Sequence, residues 1–268
     1  MDSEYNPIPE LTKLYTEWGA CTSCQLGVRR AATNGNFIPG KGAIGGILFL
    51  GDGPGLEEET DGVPFAGNAS DLIKAILDKH NFKHYCLTNL VKCRSCIHAT
   101  DASGTLLFRN QGKVQVPVLR DVPPPPECVT ACLDNLYKEI YLIDPLVIVT
   151  FGVAAAETLL KKPVPLTKAR GNLTTCLIPG RTYQAVVTKK TRTWARKTKE
   201  GTQRPVEQTQ VTYSVLPTFH PSYVMRKISD HGADSPWNLF AQDIGHAIQI
   251  YNFLTKTESI EPEEVELP

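Results

Sequence analysis

Residues 47–55 read ILFLGDGPG, an apolar run that passes directly into a glycine-rich segment with one carboxylate, Asp52. A short, wholly apolar run bounded by glycines is typical of a strand that is buried on both faces of a parallel sheet. The glycines after it let the backbone approach a bound group closely. The stretch therefore predicts a central strand whose carboxyl end holds a ligand, and a tight turn is the alternative explanation of its glycines.

The segments around this strand alternate between strand and helix patterns. Apolar runs predict further strands at residues 85–89, 146–150 and 215–220. Helical spacing predicts helices at residues 9–18, 70–79 with Ser70 as N-cap, 129–143, 152–160 and 236–253. The alternation predicts an α/β protein, a three-layer α/β/α sandwich around a central and mainly parallel sheet.

The chain is long enough to bury one substantial core, and we predict a single domain over residues 1–268. Two segments interrupt the strand and helix pattern. Residues 97–127 lack a clear period and contain a proline run, so we predict a loop-rich insertion there. A second insertion, at residues 181–213, has alternating stretches that are typical of an extended hairpin.

Four candidate site residues stand at predicted strand ends: Asp52, Asn89, Gly152 and His220. In open parallel sheets, ligands bind beyond the carboxyl ends of the strands, so these positions are expected to meet. Each residue alone also has an ordinary explanation, such as a turn, a strand-end cap or a structural histidine. Only their shared position favours a binding site.

The overall charge of the chain is neutral, with 28 basic and 28 acidic residues, so any contact with nucleic acid must come from local clusters of charge. One such cluster surrounds Trp194 and contains Lys189, Lys190, Arg192, Arg196, Lys197, Lys199 and Arg204. A solvated hairpin explains the cluster equally well. The sequence shows neither a membrane-spanning run nor a signal-peptide pattern, so we expect a cytoplasmic protein.

The chain has eight cysteines, which in a sequence of this kind favour metal or cluster binding over disulfides. Cys21 and Cys24 have the C-x-x-C spacing that lets two thiolates reach one centre. Four more cysteines could complete the site: Cys93, Cys96, Cys128 and Cys132. Four thiolates suit zinc or a [4Fe-4S] cluster, and four unrelated thiols are the alternative. Cys86 and Cys176 lie in apolar surroundings and are predicted to be plain buried residues.

Seven motifs, in their order along the chain, resemble the iron-sulfur uracil-DNA glycosylases. They are CTSC at 21–24, GDGPGLEEE at 51–59, GVPFAGNASDLI at 62–73, TNLVKCRSC at 88–96, ACLDNLYKEIYLIDPLVIV at 131–149, ARG at 169–171 and FHPSYVMR at 219–226. The resemblance spans residues 20 to about 250. It implies the three-layer fold, a [4Fe-4S] cluster with zinc as the less favoured alternative, and a monomer that acts on DNA.

The resemblance also implies roles for individual residues. The cluster ligands correspond to Cys21, Cys24, Cys93 and a cysteine on the following helix, where the distance to the Asp144-Pro145 turn favours Cys132 over Cys128. The cluster is implied to be structural or to contact DNA, and we assign it no redox catalysis.

The base pocket follows from the remaining motifs. A base flipped out of the duplex would stack on Phe65 beside Gly53, and Asn89 would hydrogen-bond its Watson-Crick edge. His220 would donate to O2 of the departing base. Asp52 and Glu58 are the candidates to position water or to stabilise the sugar cation, and we prefer Asp52 because it stands at the strand end.

The resemblance also implies DNA-binding residues. In the loop after His220 these are Ser222, Met225 and Arg226, with Met225 as the side chain that enters the gap left by the flipped nucleotide. Lys189, Lys190 and Arg192 of the basic cluster are the other candidates.

Two departures from the family pattern leave more than one candidate for the base that is excised. The family usually has Glu where this chain has Asp52, and its ordinary members lack the two insertions. Excision of a bulkier modified pyrimidine is therefore an alternative to excision of uracil. A non-catalytic DNA-binding protein on the same scaffold is a second alternative.

Overall fold

The structure is a computed structural model, and it describes residues 8–179 and 210–258. Its helices are α1 (Pro9–Gly19), α2 (Gln25–Thr33), α3 (Leu56–Asp61), α4 (Asn68–Lys79), α5 (Pro126–Ile143), α6 (Gly152–Leu160), α7 (Leu166–Ala169), α8 (Pro221–Arg226) and α9 (Pro236–Glu258). Its strands are β1 (Lys41–Gly42), β2 (Ile47–Gly51), β3 (Tyr85–Asn89), β4 (Cys96–His98), β5 (Phe108–Gln111), β6 (Val114–Pro117), β7 (Leu119–Asp121), β8 (Val147–Phe151), β9 (Thr174–Pro179) and β10 (Gln210–Thr218).

A six-stranded sheet in the order β1-β3-β2-β8-β10-β9 forms the centre of the fold. The four middle strands are parallel, and β1 and β9 pair antiparallel at the two edges. Every residue of β2 and β8 is buried, as expected for wholly apolar strands at the centre of a parallel sheet. Because the middle strands are parallel, their carboxyl ends lie at one edge of the sheet.

Helices cover both faces of the sheet and form two hydrophobic cores. On one face, residues of α1, α2, α5 and α6 pack against alternate sheet residues such as Leu48 and Ile148. On the other face, residues of α4, α8 and α9 pack against the intervening residues, such as Phe49 and Val149. The predicted three-layer sandwich with a mainly parallel sheet is thereby confirmed.

Three predicted helices have bounds that differ by more than one residue in the structure: α5 begins at Pro126 rather than at residue 129, α9 ends at Glu258 rather than at residue 253, and α4 begins earlier than predicted. α4 begins at Asn68, with Gly67 rather than Ser70 at the N-cap. Gly67 has a φ of 71°, a conformation that glycine adopts without strain, and it turns the chain earlier than the serine would. Ser70 lies within the first turn, where its backbone N–H donates to the Gly67 carbonyl at 2.9 Å.

The first insertion is not loop-rich, which corrects the sequence prediction. β4 pairs with β7 and β5 pairs with β6, so residues 96–121 form a two-stranded arm. The residues of β5 and β6 are largely exposed, so their sequence lacks the alternation of buried and exposed residues by which strands are recognised.

The second insertion falls almost entirely on residues 180–209, which lie outside the described residues, as do Lys189, Lys190 and Arg192 of the basic cluster. The last strand, β10, starts earlier than predicted, at Gln210, because it pairs along its upstream half with β9. Among residues 8–179 and 210–258, none of the helices has the length and apolar character needed to cross a membrane.

Candidate active site

The four predicted strand-end residues do meet at the carboxyl edge of the sheet. Gly152 has a φ of 89°, and a Cβ built there would lie 3.4 Å from Cβ of His220 and 3.7 Å from Oδ2 of Asp52. In the register of β2 and β3, Gly51 lies opposite Asn89. A Cβ on Gly51 would collide with Oδ1 of Asn89 and lie 2.8 Å from the Phe65 ring. Side chains from four separate segments therefore converge on the backbone of Gly51 and Gly152. A larger residue at either position would occupy the space between these side chains.

Asp52 is held at the start of α6. Its Oδ1 accepts a hydrogen bond from the Ala155 backbone N–H at 3.2 Å. Burial raises the pKa of Asp52 to about 6, and the Ala155 N–H opposes this rise. At neutral pH the site therefore holds a carboxylate that is poised near its own titration, as is useful for a group that orients water or faces a developing cation.

His220 is the N-cap residue of α8, and this position fixes its tautomer. Its Nδ1 accepts from the Ser222 backbone N–H at 3.2 Å, so the proton of the neutral ring is on Nε2. The Ser222 hydroxyl lies 2.7 Å from the same nitrogen. Burial lowers the pKa of His220 to about 4, and the charge of Arg226 adds to this effect. His220 is therefore a neutral donor through Nε2.

Phe65 and Asn89 form the other wall of the space. Phe65 has a φ of 55°, which is rare for a non-glycine residue, and its ring packs edge-on against Phe151 with centroids 5.6 Å apart. Such strain, of order 1–3 kcal/mol, is typical of functional sites. Asn89 is only 4% exposed. The Asn89 side chain makes no hydrogen bond within the described part of the chain, so its amide is available to a ligand.

Glu58, like Asp52, accepts a hydrogen bond from a backbone N–H at the start of a helix. Its Oε2 accepts from the Gly55 backbone N–H at 2.9 Å and so caps α3. Burial raises the pKa of this carboxyl group as well. The geometry favours Asp52 as the carboxylate beside His220. Gly53 stands at the same rim, where a Cβ would lie 2.9 Å from Val91 and 3.3 Å from Pro124.

The helix α8 presents some of its side chains to solvent. Val224 is fully buried and Tyr223 is 36% exposed. Met225 is half-buried and Arg226 is exposed, so both can contact a ligand at the surface. The structure therefore leaves Met225 as an apolar side chain near the site entrance, and its role as a wedge remains a prediction.

The cysteines predicted as ligands are electrostatic neighbours. Burial raises the pKa of Cys132 to about 12, and Cys24 and Cys93 raise it further. The pKa of Cys93 is raised chiefly by burial and also responds to Cys24 and Cys21. Cys128 also interacts with Cys24. The described residues contain no group of three or more His, Cys, Asp or Glu side chains spaced to hold a metal ion. Cysteine thiolates are nevertheless the ligands that bind structural zinc and iron-sulfur clusters, so the donor type fits either centre.

Cys86 and Cys176 are buried as predicted, at 3% and 4% exposure. The groups that shift the pKa of each do not include another cysteine. These two thiols are therefore separate from the four predicted ligands.

A buried ion pair, which no sequence motif predicted, lies behind Asn89. Lys92 and Glu139 are fully buried, with 2.7 Å between Nζ and Oε2. The Lys92 ammonium also donates to the Asn89 carbonyl at 2.8 Å and to the Thr88 hydroxyl. The Tyr15 hydroxyl donates to Glu139 at 2.7 Å. A charged residue on the buried stripe of α5 is the signal in the sequence that could have revealed this pair.

Comparison with known proteins agrees with this geometry. The profile of the Uracil DNA glycosylase superfamily matches residues 44–241. A Type-4 uracil-DNA glycosylase of Thermotoga maritima is 29% identical over 214 residues, which cover 78% of this chain and 80% of that protein. The Type-4 uracil-DNA glycosylases of Sulfurisphaera tokodaii and Archaeoglobus fulgidus are each 31% identical over shorter stretches, which cover 60% and 55% of this chain and 64% and 62% of those proteins. The chain therefore belongs to the uracil-DNA glycosylase superfamily.

Proposed function

We propose that the protein is a DNA glycosylase that hydrolyses the N-glycosidic bond of a flipped-out uracil in DNA, as in base excision repair. The observation that carries the proposal is the grouping of Asp52, Phe65, Asn89 and His220 around the bare backbone of Gly51 and Gly152. The relatives bear names of uracil-DNA glycosylases, which supports uracil as the base.

Selection of the base rests on Phe65 and Asn89. A flipped base stacks on the Phe65 ring, and the unengaged amide of Asn89 reads its Watson-Crick edge. The amide can donate to O4 of uracil and accept from N3–H. Cytosine presents a donor and an acceptor in the reverse order, so an Asn89 amide held in the orientation that suits uracil leaves both of these groups unpaired, which is costly in a buried site.

Hydrolysis uses His220 and Asp52. As the bond between C1′ and N1 breaks, its electron pair moves onto the base, and His220 stabilises the charge at O2 by donating from Nε2. Asp52 orients a water molecule towards C1′ and accepts its proton. A neutral imidazole stabilises this charge without transferring its own proton, which matches the lowered pKa of His220.

The test is release of uracil from single-stranded and double-stranded DNA, followed by alkaline cleavage of the abasic strand. The wild-type protein should give strand breaks, and His220→Ala and Asp52→Asn should reduce the rate by at least about 100-fold. His231→Ala is the matched control, because His231 is an exposed histidine of the described chain. Strand breaks no more frequent than in the enzyme-free sample would refute the proposal.

The same assay separates the alternatives. Release of a modified pyrimidine from hypermodified phage DNA, with uracil DNA left intact, would select the bulkier substrate. A non-catalytic DNA-binding protein would bind DNA tightly and release no base. That alternative fails if Asp52→Asn changes turnover without changing affinity.

We also propose that DNA contacts the exposed surface around α8, through Ser222, Met225 and Arg226, with Met225 entering the gap in the stack. Lys189, Lys190 and Arg192 are further candidates, although they lie outside the described residues. Met225→Ala should weaken binding to duplex DNA more than binding to single strands, because only a duplex has a stacked gap to fill. Equal weakening of both would contradict the wedge role.

We propose that Cys21, Cys24, Cys93 and Cys132 hold a [4Fe-4S] cluster. The supporting observation is that these thiols influence one another's pKa across three distant segments of the chain. When bound, the cluster supplies a rigid cross-link, and no step of hydrolysis passes through it. Purified protein should contain iron and sulfide and absorb broadly near the visible blue region. A colourless protein with stoichiometric zinc would refute the cluster.

Variants identify the fourth ligand. Cys132→Ala should lose iron, and Cys176→Ala, at a buried thiol without cysteine neighbours, should retain it. Cys128→Ala tests the neighbouring cysteine. Loss of iron from Cys128→Ala alone would move the ligand role from Cys132 to Cys128.

A further inference from the structure

We infer that the arm, residues 96–121, binds duplex DNA beside the base pocket and enters its major groove. The inference rests on the proposed function only in taking DNA as the substrate. The proposed DNA-binding surface is the arm, whose two ends lie beside the base pocket. All residues of the arm are among those that the structure describes.

The arm is anchored to the glycine-rich loop of the site. Arg94, which is nearly fully buried, donates to Asp121 Oδ1 at 2.5 Å and to Glu59 Oε2 at 3.3 Å. The other oxygen of Asp121 accepts from the Leu56 backbone N–H, at the first residue of α3. Arg29 donates to Glu59 at 2.6 Å. The base of the arm is therefore fixed directly after GDGPG, and movement of the arm relative to the pocket is restricted.

The arm has the shape of a two-stranded ribbon. Residues 114–121 form one side and pair first with β5 and then with β4 on the other side. Eight residues of strand extend about 24 Å, at roughly 3.4 Å per residue. A short loop at residues 101–105 is closed by the Asp101 carboxylate, which accepts from the backbone N–H groups of Ser103 and Thr105. A two-stranded ribbon of this kind fits the width of the major groove of B-DNA.

The arm carries large apolar side chains that are only partly covered by the described chain. Phe108 is 53% exposed and Val114 is 64% exposed. Ile97, Leu106 and Leu107 are exposed large hydrophobic residues of the same segment. By the register of β5 and β6, Val114 projects from the same face of the ribbon as Arg109, and Phe108 projects from the other face. An exposed apolar side chain beside a cation on one face indicates an interaction surface. In a groove, such side chains contact thymine methyl groups and sugars.

The charges of the arm favour a polyanion over a neutral protein partner. Of its two carboxylates, Asp121 is paired with Arg94, whereas Asp101 accepts hydrogen bonds from neutral groups of the loop and keeps its charge. Its three long cations, Arg109, Lys113 and Arg120, form no ion pair among residues 8–179 and 210–258. The uncompensated charge of the arm is therefore positive, as required for contacts with phosphates, which dominate the affinity of DNA-binding proteins.

The cations are also spaced along the length of the ribbon. Arg109 lies opposite Val116 in the part formed by β5 and β6, and Arg120 lies opposite Ile97 in the part formed by β4 and β7, about 14 Å further along. Lys113 stands at the tip, between β5 and β6. This row extends the DNA path away from the pocket.

The test compares two triple variants of the full chain. Arg109→Ala/Lys113→Ala/Arg120→Ala removes the cations of the arm. Lys79→Ala/Lys83→Ala/Lys162→Ala is the control and removes three exposed lysines on the side of the sheet where the parallel strands begin, opposite to their carboxyl ends. Affinity for a uracil-free duplex of about 30 base pairs is measured by fluorescence anisotropy between about 50 and 200 mM salt. The slope of log K against log salt should fall by about 0.9 for each phosphate that the variant no longer neutralises, and only in the first variant.

Val114→Ser, on the face of Arg109, is a second variant that leaves the charge unchanged. It should weaken duplex binding about 10-fold without changing the salt slope, since the Val114 side chain neutralises no phosphate. Melting temperatures close to that of the wild type confirm that each variant is folded. Uracil release from a single-stranded oligonucleotide of a few nucleotides should keep its wild-type kcat in all three variants, because so short a strand does not reach the arm.

The outcomes separate this inference from the proposed function. If the first triple variant binds duplex DNA with the wild-type affinity and salt slope, the inference is wrong, whether or not uracil is released. If the wild-type protein releases no base but the variant loses duplex binding, the inference holds and the proposed function fails. If Val114→Ser converts a dimer to a monomer in sedimentation and leaves DNA binding unchanged, the arm is a self-association surface, and the inference is overturned.

Discussion

Burial has opposite chemical consequences for Asp52 and His220, although it favours the uncharged form of both. It raises the pKa of Asp52 to about 6 and lowers the pKa of His220 to about 4. At pH 7 the carboxyl group is therefore mostly ionised and the imidazole is neutral. The site thus places one negative charge near the sugar and a neutral hydrogen-bond donor near the base, as departure of an anionic base requires.

This arrangement predicts the pH dependence of catalysis. The single-turnover rate should rise as pH increases through about 6, because Asp52 acts as a carboxylate, and it should stay level up to at least pH 8. Protonation of His220 should lower the rate only near pH 4. Asp52→Asn should leave a slow rate without the step near pH 6. A rate that falls between pH 6 and 7 would show that a protonated group is the active one.

The same shift predicts a trade between activity and stability. Because the pKa of Asp52 is higher in the folded protein than its ordinary 3.8, the folded state binds the proton more tightly, and stability decreases as pH rises from about 4 to about 6. Asp52→Asn removes this cost of up to about 3 kcal/mol. Urea unfolding should show the variant to be more stable by about 1–3 kcal/mol at pH 7.5. An advantage that is equally large at pH 4 would contradict the electrostatic origin.

At the scale of elements, Lys92 and Glu139 connect β3 to α5 at the point where Asn89 must be held still. The pair also receives the hydroxyl of Tyr15 from α1, so three elements meet at two buried charges. Buried ion pairs add little net stability compared with apolar residues of the same size, but loss of one partner is costly. The hydrogen bond from Lys92 to the Asn89 carbonyl indicates that the ion pair serves mainly to hold Asn89 in position and adds little to the stability of the fold.

Paired substitutions separate these two contributions. Lys92→Met leaves the Glu139 charge buried and should lower the free energy of unfolding by about 3–5 kcal/mol. Lys92→Met/Glu139→Leu should recover most of that loss in urea unfolding. Uracil release by the double variant should nevertheless be slower, with the loss in kcat rather than in KM, since the Asn89 carbonyl no longer has its donor. A double variant with wild-type kcat would limit the pair to a structural role.

The elements also show which parts of the fold the sequence specifies locally. β2, β8 and α6 were predictable because wholly apolar runs and helical spacing report burial directly. The arm was not, because both of its faces are exposed and no alternation marks its strands. The meeting of Asp52, Asn89 and His220 could be predicted because the carboxyl ends of parallel strands converge. The partner of Lys92, which is 47 residues away along the chain, depends on tertiary packing and could not be predicted.

At the scale of the whole molecule, the four predicted ligand cysteines join segments that are distant in sequence. Cys21 and Cys24 precede α2, Cys93 follows β3, and Cys132 lies on α5. Bound together, they would close a loop of more than 100 residues around one core. Such a cross-link stabilises a fold mainly by restricting the unfolded chain, and the binding energy of a structural centre is part of the folding energy.

Loss of the cluster should therefore destabilise the protein without altering the chemistry of the pocket. Closing so long a loop contributes about 3–5 kcal/mol, and about 1 kcal/mol shifts the Tm of a chain of this size by about 2–4 °C. Cys132→Ala should lower Tm by about 10 °C or more, and Cys176→Ala by clearly less. At a temperature where both are folded, the step near pH 6 in the rate of uracil release should be the same, because Asp52 is held by α6 and not by the cysteines. A shift of that step in Cys132→Ala alone would mean that the cluster acts on the pocket and is more than a cross-link.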